Sequence, residues 1–174
     1  MANAFPSGEQ FEIHARDHRV VVVEVGAGLR SYTVAGDDVL DGYAADEMAR
    51  SGRGQVLAPW PNRIEDGAYE FAGGRQQLPL NEPKARNAIH GLVRWSSWSV
   101  AERSADRILM EHTLHPQPGY PFSLALGIEN VSFSCRCWGP ASGRNGVCRR
   151  RISVAPTDPP DLVAGPSTGA LYRP

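Results

Sequence analysis

The 174-residue chain is long enough for one domain of ordinary size, and an apolar share of 41% suffices to bury a core. Its formal net charge of −1 gives no electrostatic reason to expect nucleic acid or an anionic membrane surface as a partner. It has no apolar run long enough to cross a bilayer and no basic-then-apolar segment over Met1 to Phe11, so a cytoplasmic location is the default expectation.

Residues Met1 to Gln10 read as a polar lead-in, after which Phe11, Ile13 and the run Val20 to Val25 predict two β-strands. Consecutive valines are poor helix material but fit a sheet buried on both faces, and Gly-Ala-Gly at Gly26 to Gly28 marks a turn. Leu29, Tyr32 and Val34 predict the next strand, which turns at Gly36 to Asp38 and resumes at Val39 and Leu40. Tyr43 to Gly54 holds the helix-friendly residues AADEMARS, but it is short and ends in Ser-Gly, so a connecting loop is expected. Ala68 to Phe71 alternates ahead of a Gly73-Gly74 turn, and Leu78 and Leu80 continue the alternation. Two further strands are expected around a turn near Ser104 to Asp106, with Trp95, Trp98 and Val100 against Ile108, Met110 and Thr113. About nine short strands with hardly any helix imply an all-β antiparallel sandwich or barrel.

The unusual side chains gather between Gln55 and Trp98. Trp60, Asn62, Arg63, Asn81, His90, Trp95 and Trp98 alternate there with short apolar runs and glycines. Flat rings cover the C–H face of a sugar while amides and a planar guanidinium meet its hydroxyls, so this inventory suits a polyhydroxylated ligand. Each residue has a plainer alternative. Arg63 can pair with Glu65 or Asp66, Asn62 can cap the turn after Pro61, and His90 can be a hydrogen-bonded core histidine. The tryptophans suit a core or cleft wall better than a stacking platform. His14, His18, His112 and His115 show no ligand spacing, and Glu82, Glu102 and Glu111 give no paired-carboxylate geometry of the glycosidase kind.

The succession APWPNRIEDGAYEFAGGRQQLPLN followed by AIHGLVRW resembles the aldose 1-epimerase (galactose mutarotase) family, in which N-R-I, G-x-Y-x-F, L, N and [IL]-H-G precede a tryptophan. The resemblance runs from Arg19 to about Glu129, including VEVGAGLRSYTVAGDDVLDGY and PGYPFSLALGIE. It implies an antiparallel β-sandwich with a sugar cleft on one concave face, here incomplete. It also implies an isomerase that interconverts the α and β anomers of hexoses such as galactose or glucose, with no cofactor and no metal. Asn62, Arg63 and His90 match positions that hold sugar hydroxyls in the family. The family's acid is the histidine of an H-P-Y motif and its base a glutamate near the C-terminus. Neither has a counterpart here, since His115-Pro116 is followed by Gln117 and precedes PGYPF. His90 is the one imidazole left as a catalytic candidate. The alternatives are a non-catalytic carbohydrate-binding protein and a sugar-phosphate epimerase, for which Lys84 and Arg86 are the nearby basic residues.

From Asn130 the chain changes character, which sets expected units at 1–129 and 130–174. The first carries 12 basic residues against 17 acidic, the second 6 against 2, with eleven Gly plus Pro in 45 residues. Strand alternation fades, and such Pro and Gly content suits neither a sheet interior nor a packed core. This tail is therefore expected to be disordered or out of frame. With 17 arginines to one lysine the gene is expected to be GC-rich, and shifted reading of such DNA yields this composition. Cys135, Cys137 and Cys148 lack the paired spacing and fourth ligand of a zinc site.

Overall fold

The computed structural model describes residues 5–134 and 146–156. The valine run forms the middle of its first sheet. β1 (Gln10–Ala15) and β2 (His18–Val23) pair antiparallel with Ile13 opposite Val20, and the chain reverses between them through Arg16 and Asp17. β3 (Gly28–Val34) and the two-residue β4 (Asp37–Asp38) complete the order β1-β2-β3-β4. The strand predicted over Val20 to Val25 stops at Val23, because Gly26 and Ala27 both take positive φ, 69° and 43°, and turn the chain there.

The second sheet has the order β12-β11-β10-β9, built from β9 (Ser99–Arg103), β10 (Arg107–Leu114), β11 (Leu124–Ser134) and β12 (Gly146–Pro156), all antiparallel. The turn between β9 and β10 falls at 104–106, as the sequence predicts. Val100 pairs with Met110, whereas Trp98 stands just before the strand and Trp95 lies in a turn. The two sheets pack face to face. Ile13, Val20 and Val22 from one and Ile108, Met110 and Ile128 from the other are fully buried in a single core. Each such side chain contributes about 1.5–3 kcal/mol of burial. Backbone bonds stitch the edges, with His14 N–H donating to Ala105 O at 2.7 Å and Gly26 N–H to Ser96 O at 2.8 Å.

Between the sheets in sequence lie two short ribbons, β5 (Arg63–Glu65) with β8 (Asn87–Ile89), and β6 (Ala68–Phe71) with β7 (Gly74–Gln77), plus a three-residue 3-10 turn at Pro83–Ala85. Residues 43–54 form turns and no helix, as expected for a connecting loop. The strand count is twelve among the described residues rather than nine, because several pairs are only two to four residues long.

The tail differs from its expected reading where it is described. β11 runs past residue 129 to Ser134, and β12 lies wholly within the Arg-rich segment, paired to β11 along its length. Main-chain pairing needs an open edge and an extended partner, not an alternating sequence, so composition did not reveal it. The side chains fit less well than the backbone. Ile152 and Val154 stay 50% and 56% exposed. Asn130 and Ser132 are fully buried with no side-chain hydrogen bond among the described residues. Arg150 does reach inward, donating from Nη1 to Gly54 O at 2.7 Å and from Nη2 to Ala27 O. Residues 135–145 and 157–174, with Cys135 and Cys137, lie outside the described residues, as does the side chain of Cys148.

Two substitutions separate packing from polarity in this seam. Ile128→Ala opens a cavity between the sheets and should cost about 2–5 kcal/mol by urea unfolding. Ser132→Ala removes a hydroxyl that has no partner among the described residues and should leave stability unchanged or raised. A loss for Ser132→Ala as large as that of Ile128→Ala would mean the hydroxyl is bonded.

Candidate functional site

The motif residues meet because two loop segments cross at close range. Leu92 N–H donates to Ala58 O at 2.7 Å and His90 N–H to Asn62 O at 2.8 Å, and the ribbon continues with Arg63 opposite Ile89. Gly91 makes the crossing feasible. It is buried at φ +67°, and a Cβ there would stand 2.0 Å from Ala58 O. The glycine of I-H-G is thus a steric requirement of this crossing. Asn62 and His90 also take positive φ, 62° and 65°, which asparagine and histidine tolerate better than most residues.

A second return holds the ribbon from the other side. Ile89 N–H donates to Asn81 Oδ1 at 2.7 Å, and Asn81 Nδ2–H donates to Ile89 O at 2.9 Å. The side-chain amide therefore stands in for a neighbouring strand. Asn81, which the sequence suggests as a ligand-gripping amide, commits its oxygen and one N–H of its amide to the backbone.

Arg63 is gripped at two points. Its Nε–H donates to Glu82 Oε2 at 2.7 Å and Nη2–H to Glu82 Oε1 at 2.8 Å, while Nη1–H reaches Asn62 Oδ1 at 3.2 Å. The ion pair considered from sequence thus exists, but with Glu82 rather than with Glu65 or Asp66. Asp66 instead pairs with Arg86 at 2.7 Å. Asn87 Nδ2–H also donates to Glu82 Oε2, at 2.9 Å. The bonds from Arg63 and then Asn87 hold the Glu82 carboxyl down at about 2.

His90 is half-buried, and the Asn62 N–H donates to its Nδ1 at 3.2 Å. An accepting Nδ1 leaves the ring proton on Nε2. Burial first, then the cationic Arg94 and Arg63, push its pKa below the ordinary value, so the imidazole is neutral at neutral pH. A Cβ on Gly52 would come within 3.7 Å of its Cδ2, so that loop stands beside the ring.

The tryptophans divide. Trp98 is 2% exposed in the core, Trp60 packs partly buried against it, and Trp95 is 55% exposed with the Arg94 guanidinium 5.3 Å from its ring centre. The remaining histidines do not join the site. His18 is buried with Nδ1 at 3.0 Å from the Tyr32 hydroxyl, His112 lies against Trp98 and donates to Ser97 O at 3.1 Å, and His14 and His115 are exposed. Glu102 pairs with Arg107. The sequence reading missed the part played by Glu82 and Asn87. The available signal was their place in NEPKARN, a Pro-initiated turn that returns the chain directly to I-H-G.

The sequence profile of aldose 1-epimerases matches residues 9–130, which spans the first sheet, the whole loop cluster and the second sheet as far as the middle of β11. The chain belongs to the aldose 1-epimerase family. That family is one of sugar epimerase-type isomerases. The chain is 39% identical over 125 residues to the uncharacterized protein YihR of Escherichia coli (strain K12), covering 72% of this chain and 41% of that one. Its fold is similar to that of a GalM/aldose epimerase homologue from C. elegans, with a TM-score of 0.65, 17% identity, and coverage of 72% of this chain and 42% of the other. It is also similar to a galactose 1-epimerase from Lactobacillus acidophilus NCFM, with a TM-score of 0.57, 21% identity, and coverage of 70% and 39%. The chain thus spans about two-fifths of the length of these relatives.

Two outcomes follow for this member of the aldose 1-epimerase family. Gly91→Ala, strained in φ and blocked by Ala58, should destabilise the fold by about 1–3 kcal/mol in urea or thermal unfolding. The Glu82 carboxyl should titrate near 2 by carbon NMR, well below its ordinary 4.5. A lowered folded pKa means that the fork contributes fully above that ordinary value and is lost as pH falls toward 2. A measured value above 4 would mean that the fork does not form in solution.

Proposed function

We propose that Asn62, Arg63 and His90 hold hydroxyls of an aldohexose such as galactose or glucose, and that the chain is an aldose 1-epimerase-type protein. The observation that supports this reading is the bond from the Asn62 N–H to His90 Nδ1, which leaves the ring proton on Nε2 as a donor, with Asn62 in turn bonded to the Arg63 guanidinium. Donors of this kind meet the lone pairs of sugar hydroxyls, and the neutral imidazole is a weak proton donor as well.

Anomer interconversion needs a base for the C1 hydroxyl proton and an acid for the ring oxygen, so that the ring opens and recloses on the other face. The 174 residues contain no H-P-Y and no glutamate after Glu129. General acid and base groups are typically worth about 10²–10⁴-fold each. The missing pair favours, as a second reading, a chain that binds sugar without turning it over. His90 is the group able to lend partial acid catalysis.

Binding is read from galactose and glucose titrations by NMR and turnover from polarimetry of fresh α-glucose. Arg63→Ala and His90→Ala should each weaken binding about tenfold, the order of one charge-assisted or strong hydrogen bond, with melting temperatures close to the parent's. Equal loss of folding in both variants would return them to a structural role. Interconversion per mole should fall orders of magnitude below that of a complete family member at equal pH, approaching the buffer rate. A rate equal to the complete enzyme's would mean that this chain supplies an acid and a base elsewhere.

A further inference from the structure

We propose that Glu82 is a positioning residue for sugar recognition, holding the Arg63 guanidinium in one fixed plane so that its remaining N–H groups meet a sugar hydroxyl. This rests on the reading of Arg63 as a sugar contact.

The geometry that carries it is the two-bond fork from Arg63 Nε and Nη2 to the two Glu82 oxygens, at 2.7 and 2.8 Å. An arginine on a three-residue strand, with its side chain 51% exposed, would otherwise sample many rotamers. Two parallel bonds fix the plane as well as the place of the guanidinium. Glu82 is itself held. Its N–H donates to Asn87 O at 3.1 Å, the Asn87 N–H returns to Glu82 O at 3.2 Å, and the Asn87 amide donates to its carboxylate at 2.9 Å. Orientation is thus relayed from β8, the strand that leads into His90, to the guanidinium on β5. The described bonds use three of the five guanidinium N–H groups, two on Glu82 and one on Asn62. Two donors, one on each Nη, stay available in a plane set by Glu82. A surface ion pair of no functional weight would show the fork without the relay, and such pairs contribute little to stability. The two cases therefore differ in affinity rather than in folding.

A double-mutant cycle on the 174-residue chain separates them, with D-galactose as the probe and NMR titration as the readout. Glu82→Gln should bind about tenfold more weakly while staying folded, with a melting temperature only a few degrees below the parent's, and Glu82→Gln combined with Arg63→Ala should bind no more weakly than Arg63→Ala alone. Asn87→Ala, which removes one anchor of the carboxylate, should lose about threefold through the same coupling, and it takes the place of Glu82→Gln in the cycle should that variant unfold. Parent-like affinity in these variants, or losses that multiply in the double mutant, would overturn the positioning role while leaving the sugar site standing. A parent chain that binds no galactose would overturn the sugar reading and this inference with it.

Discussion

The loop cluster is only as fixed as the apolar seam beneath it. Ile13, Val20 and Val22 on one sheet meet Ile108, Met110 and Ile128 on the other with no exposed surface left. That contact fixes where β3 ends and where β9 begins, and the chain from residue 39 to 98 has to travel between those two points with only short ribbons of its own. Val56, Leu78, Ala88 and Val93 tie this excursion back to the same core at intervals. Such anchoring is why residues far apart in the loops can present side chains with strand-like regularity, in keeping with the general use of a rigid scaffold to carry functional loops.

Within the excursion the decisive local event is the approach of Gly91 to Ala58. A three-residue strand cannot hold itself in water, so β5 and β8 depend on the bonds that the crossing, Asn81 and Glu82 add to them. The polar residues of the motif therefore serve two ends. Asn81 bonds the backbone of β8 and Asn87 holds the Glu82 carboxylate, while Arg63 and His90 keep donors that the described contacts leave over.

The strands were largely legible because valine runs and alternation report burial directly, as the 104–106 hairpin illustrates. The site was legible in its residues but not in their division of labour. Nothing in the local sequence says that the partner of Arg63 sits 19 positions away at Glu82 rather than at Glu65, since the fold chooses among carboxylates by proximity. β12 was illegible for a different reason. Its pairing is carried by main-chain groups, which every non-proline residue supplies alike, while the pattern that the eye reads belongs to side chains. The exposed Ile152 and Val154, and the buried Asn130 and Ser132 with no side-chain partner among the described residues, mark where the backbone fits and the side chains do not. This mismatch begins at the same place where the family match ends, near residue 130.

The electrostatics of the cluster follow from its exposure. Arg63 and Glu82 both keep contact with solvent, so their attraction is screened and the fork contributes direction more than energy. His90 behaves differently, because partial burial and two nearby guanidiniums both oppose a positive charge on the ring. The same cations that surround the imidazole thus keep it neutral, with one acceptor nitrogen committed to Asn62 and one N–H left over. A neutral donor beside an oriented guanidinium recognises the lone pairs of hydroxyl oxygens by direction, and direction is what a rigid ribbon, rather than a flexible loop, is able to supply.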